Sequence, residues 1–97
     1  MSNPLSRKRA ALAAEQLARD IAQPVAAHVD ALQGLLQMAG TANVVGFLRS
    51  GIDGRMLLGN VLADRGLNQD GVWVGFAEAE RLFVAAFPGA IDAGLIV

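Results

Sequence analysis

The chain has 97 residues, 54% of them hydrophobic and 11 glycine, with a formal net charge of -1. Apolar residues and glycine together make up roughly 65%, against about 45–50% in an ordinary soluble domain; that excludes intrinsic disorder and leaves more apolar surface than a domain this small readily hides. Zero cysteines exclude a disulfide scaffold and thiolate chemistry, and one histidine with no tyrosine leaves few groups for acid–base catalysis.

The length and patterning predict a single all-α domain over 1–97, a small bundle of four or five helices. Residues 1–9 form a basic arm and 88–97 an apolar tail. Asn3 or Ser6 is placed to cap a first helix, and Pro4 suits its first position. The stretch Ala10–Ala22 is alanine-rich and holds no breaker.

An apolar stripe then runs Ala14, Leu17, Ile21, Val25, Val29, Leu32, Leu36, Ala39 in steps of three or four, crossing Pro24. Proline removes a helical N–H and crowds the preceding turn. Two arrangements follow: one long helix kinked near 20–24, or two helices with Pro24 starting the second. The stripe keeps close to a heptad spacing, so it suits either pairing with a copy of itself or the core of a bundle.

Gly40 closes this element, with Thr41 or Asn43 as caps for the next, which Ser50-Gly51 ends. Asp53 is placed to cap a helix over 54–64 whose apolar residues cover more than half its circumference, which predicts burial on several sides. Gly66 and Leu67 fit its C-terminal stop. After the loop Asn68-Gln69-Asp70-Gly71 the pattern is ambiguous. Val72, Val74 and Phe76 alternate like a short strand. Alternatively, Asp70 caps a helix with the stripe Val72, Phe76, Ala79, Phe83, Phe87, or that helix begins only at Gly75 or Phe76. Pro88-Gly89 ends it, and the closing residues Leu95, Ile96 and Val97 are apolar where chain ends are usually polar.

Candidate chemistry is sparse. His28 has no ligand-spaced partner, so no metal or cofactor is expected. Ser50 lacks the glycine pattern of a nucleophile elbow. Glu78, Glu80, Asp64 and Asp70 read as solvated carboxylates, and Gly51–Arg55 as an interhelical turn with an aspartate that opposes anion binding. Arg7, Lys8 and Arg9 are possible anion contacts, but three charges without interleaved aromatics make a poor nucleic-acid surface.

The run Phe47-Leu48-Arg49-Ser50-Gly51-Ile52-Asp53-Gly54-Arg55-Met56-Leu57-Leu58 resembles the central phrase of sterile alpha motif domains. That resemblance implies a small helical polymerising module. The spacing from Leu58 to Gly66 is shorter than that family's pattern and the alanine-rich first helix departs from it, so the likeness is read as shared turn chemistry.

The expected function is therefore non-enzymatic: a small helical subunit that self-associates or docks on a larger protein assembly. Its contacts are expected at Leu17, Ile21, Val25, Val29, Leu32, Leu36, Leu95, Ile96 and Val97, part of which must instead serve the protomer's own core. High alanine, leucine and arginine usage fits bacterial or bacteriophage proteins, a virion component among them. The alternative is a small regulatory or inhibitory binder of an enzyme or nucleic-acid machine, with a DNA-binding regulator behind it. Partners are expected to be protein and the chain a homo-oligomer or assembly subunit, located in the cytoplasm or a virion. No signal peptide or membrane-spanning segment is expected, since Glu15, Arg19 and Asp20 interrupt any apolar leader and Pro88 and Asp92 interrupt the apolar C-terminal stretch.

Overall fold

A computed structural model describes residues 4–95. Five helices follow one another: α1 (Pro4–Ile21), α2 (Val25–Leu36), α3 (Thr41–Ser50), α4 (Gly54–Asp64) and α5 (Phe76–Ala86), then a 3₁₀ turn at Pro88–Ala90. Helix accounts for 71% and no strand occurs among the described residues, so the chain is all-α as its patterning implies. It divides into two compact units, Met1–Gly40 and Thr41–Val97.

In the first unit the apolar stripe is carried by two helices and not by one. The Ala22 amide still donates to the Ala18 carbonyl (3.1 Å), and Gln23 donates to Asp20 (3.3 Å). Pro24 has no N–H to continue the ladder, and it sits in extended geometry at the cap of α2 (φ −54°, ψ 144°). The helix resumes when the Ala27 amide donates to the Pro24 carbonyl (2.9 Å). His28 spans the break. Its Nε2–H donates to the Ile21 carbonyl at 3.0 Å, which satisfies one of the end carbonyls that a broken helix leaves open. Asn3, the expected cap of α1, lies outside the described residues.

The second unit is built on turns. α3 already begins at Thr41, so Thr41 and Asn43 lie inside its first turn and do not cap it. Ser50 closes it as expected: its hydroxyl donates to the Phe47 carbonyl (2.6 Å) and accepts from the Ile52 amide (3.1 Å). The Asp53 carboxylate accepts from the Arg55 amide (2.9 Å) and starts α4. At the other end of α4, Gly66 turns left-handed (φ +73°). The Gly66 amide donates to Ala63 (2.9 Å) and the Leu67 amide to Leu62 (3.0 Å), the paired bonds of a Schellman stop.

A short hairpin then links α4 to α5. Asn68 donates to the Val72 carbonyl (2.9 Å) and Val74 to the Gly66 carbonyl (3.0 Å), with a single antiparallel bridge between Leu67 and Trp73. The strand-like alternation of Val72 and Val74 therefore ends at one bridge. Asp70 is not a helix cap. The Asn68 side chain organises the loop instead, accepting from the Asp70 (2.9 Å) and Val72 (3.0 Å) amides. α5 starts at Phe76 after Gly75 (φ +89°), which caps it without a side-chain bond.

The core of this unit lies between α4, α5 and the 3₁₀ turn. Phe83 is buried among Ala63, Ala79 and Ala90, and Met56, Val74, Phe87 and Leu95 pack around them. Gly59 admits Phe87 and Phe83, because a Cβ there would meet Phe87 Cε2 at 2.9 Å and Phe83 Cδ1 at 3.3 Å. α4 is buried on this small-residue side only. Leu58 and Val61 stay exposed, contrary to the expectation of burial on several sides, because the closest approach to α5 is made by Gly59 and Ala63 and not by the leucines. The segment after Pro88 folds back. Ala90 is fully buried, and Gly94 (φ +79°) repeats the Schellman stop, with Gly94 donating to Ile91 and Leu95 to Ala90, both at 3.0 Å.

Candidate interaction surfaces

In the first unit, α1 and α2 bury no side chain. Leu17, Ile21, Val25, Val29, Leu32 and Leu36 are all exposed, from 42% for Leu17 to 75% for Val25. Ile21, His28, Ala31 and Leu32 line a shallow, largely apolar depression where the two helices meet. Side chains so placed have roughly two-fifths to three-quarters of their burial still to gain, on the order of 1 kcal/mol each. A helix of 12 residues such as α2 is marginal by itself in water. A partner covering this stripe would supply what the unit does not bury internally.

The expected C-terminal contacts separate from these. Leu95 is half-buried against the Phe83 core, and Ile96 and Val97 lie outside the described residues. Arg7, Lys8 and Arg9 are helical and exposed, within α1.

The second unit carries a surface that periodicity did not single out. Asn60 and Asp64 of α4, Phe76, Glu80 and Phe83 of α5, and Leu95 line an open hollow of about 320 Å³. Apolar Phe76, Phe83 and Leu95 line it together with the carboxylates of Asp64 and Glu80. Reading Glu80 and Asp64 as separate solvated charges missed that α4 and α5 bring them to one depression. The only sequence signal was Gly59, one residue before Asn60, which fits a close helix crossing better than it fits helix propensity. Beside the hollow, Trp73 and Phe76 are 60% and 63% exposed and meet edge to face, with ring centroids 5.2 Å apart.

Charge is distributed in two ways. Asp53 pairs with Arg55 at 2.9 Å, and the Arg55 hydrogen bonds hold the Asp53 carboxyl below the usual range. Glu78 accepts from Arg81 Nε at 2.7 Å and is likewise lowered by that bond, while the Arg81 guanidinium is raised. These carboxylates are satisfied by neighbours one helical turn or less away. Asp64, Glu80, Lys8 and Arg9 have no ion-pair partner among the described residues. The anion site conceivable at Gly51–Arg55 is filled by the Asp53 carboxylate itself. Among the described residues no group of three potential ligands is placed to hold a metal ion, and no helix is long and apolar enough to cross a membrane. No family model matches the chain, and no curated protein and no solved structure is similar enough to count as a match.

Proposed function

We propose that this protein is a non-enzymatic assembly subunit whose α1–α2 stripe docks on copies of itself or on a larger protein assembly, of the kind a bacterial or bacteriophage particle provides. The carrying observation is that two helices with a continuous apolar stripe bury none of their own side chains. Support also comes from the residues flanking the stripe: between Ile21 and Ala39 the charged side chains reduce to Asp30, so an apolar partner meets little desolvation penalty there.

The test is the paired substitution Val29→Glu and Leu32→Glu, with mass followed by sedimentation over a wide concentration range. The parent is expected to exceed its 10.1 kDa chain mass as concentration rises. The variant is expected to lose stripe-mediated association while keeping the melting transition of Thr41–Val97. A parent that sediments at 10.1 kDa throughout removes self-association. A variant that associates as the parent does removes the stripe. Truncation at Ile91 would not separate association from folding, because it strips Leu95 from the Phe83 core.

A further inference from the structure

We infer that the hollow on α4 and α5 receives the basic side of α1 from a second copy of this chain, so that copies join head to tail. The inference rests on reading the chain as an assembly subunit, but it uses different surfaces from the stripe. Within α1, Leu5, Arg9 and Leu12 recur at intervals of four and three, which puts them on one side of the helix with Lys8 beside them. Leu17 and Ile21 fall on the opposite side, and Arg7 lies toward theirs. Leu5 and Leu12 are 65% and 53% exposed.

This face and the hollow are complementary in both respects that matter. The hollow offers the apolar side chains of Phe76, Phe83 and Leu95 beside the carboxylates of Asp64 and Glu80. The α1 face offers two cations between two leucines. A lysine or arginine can lay its methylene stem along an apolar floor while its charge stays at a wet rim. All four charged groups lack an ion-pair partner among the described residues, whereas Asp53 and Glu78, which face local arginines, are already paired. An anionic or uncharged occupant would bring no countercharge to the Asp64 and Glu80 carboxylates of the hollow.

The contact joins two different surfaces, so each copy keeps one free end of each kind and growth is open unless it closes into a ring. The experiment is done in the Val29→Glu/Leu32→Glu chain, where the stripe makes no contribution, at low salt. Three chains are compared in that background: Lys8→Gln/Arg9→Gln, Asp64→Asn/Glu80→Gln, and Arg7→Gln. Sedimentation velocity is expected to show concentration-dependent growth of the background chain, weakened about tenfold by each double neutralisation and by salt near 0.5 M, and unchanged by Arg7→Gln. An equimolar mixture of the two neutralised chains retains one intact contact per pair and is expected to stop at two copies. The inference is overturned if the background chain does not grow, if Arg7→Gln weakens it as Lys8→Gln/Arg9→Gln does, or if the mixture stays monomeric or grows beyond two. If only the chain with an intact stripe associates, the stripe reading stands and this inference falls. If neither associates, this inference and self-association through the stripe both fall.

Discussion

Met1–Gly40 and Thr41–Val97 are drawn from similar apolar material and reach different ends. The first holds Leu5, Leu12, Leu17, Ile21, Val25, Val29, Leu32, Leu35 and Leu36 and buries none of them. The second buries Phe83 among three alanines. Every aromatic residue of the chain lies in the second unit, and so does every left-handed glycine among the described residues. Apolar content alone does not make a core. A core needs chain reversals that bring helices back and a large side chain seated among small ones. Gly66 and Gly94 supply the reversals, while Gly59, Ala63, Ala79 and Ala90 supply the space.

That contrast breaks most severely at its centre. Phe83→Ala is expected to lower the stability of Thr41–Val97 by about 3–5 kcal/mol, enough to unfold it in mild urea, read by circular dichroism. If Phe83→Ala melts like the parent, the core is not where the difference between the units lies. Gly66→Ala should cost less, about 1–2 kcal/mol, since it strains a left-handed residue and places a methyl against the Trp73 ring. Leu32→Ala, made in the first unit, is expected to change the denaturation midpoint of the dilute protein by no more than about 0.5 kcal/mol in free energy while weakening association. A large loss in dilute solution would show that the stripe is core after all.

The smallest effect is the most specific. Asp53→Ala should lower the melting temperature by a few degrees, and Asp53→Asn by much less, because asparagine still caps α4. The Asp53 carboxyl is held below its ordinary range in the folded chain, so its contribution is present above the unfolded pKa and is lost as pH falls through the lowered folded value. Melting curves below the usual carboxylate range should therefore converge for the parent and Asp53→Asn.

Local turn chemistry made much of this legible. Asp53, Gly51 and Gly66 carry their roles in their residue types, and Pro24 marks the break between α1 and α2 because a missing N–H acts wherever it stands. The sequence read less well where one local choice competes with another. Asn68 and Asp70 both suit a turn, and only the hairpin shows that Asn68 takes it and leaves Gly75 to start α5. What depends on tertiary approach could not be read at all. The return of Ala90 and Leu95 to Phe83, and the placing of Asp64 and Glu80 on one hollow, depend on how α4 and α5 pack at Gly59. The apolar repeats of α1 and of α2 were visible, since periodicity within a helix reports a face whether or not anything covers it.

Trp73 is the one tryptophan, tyrosine is absent, and the indole sits over Gly66 with its edge against Phe76 at the mouth of the hollow. The protein thus contains its own optical reporter, with the emission of a single fluorophore arising from the one loop that joins α4 to α5. Its colour and quenching by iodide should register whatever settles beside Phe76, without a label and in the unmodified chain.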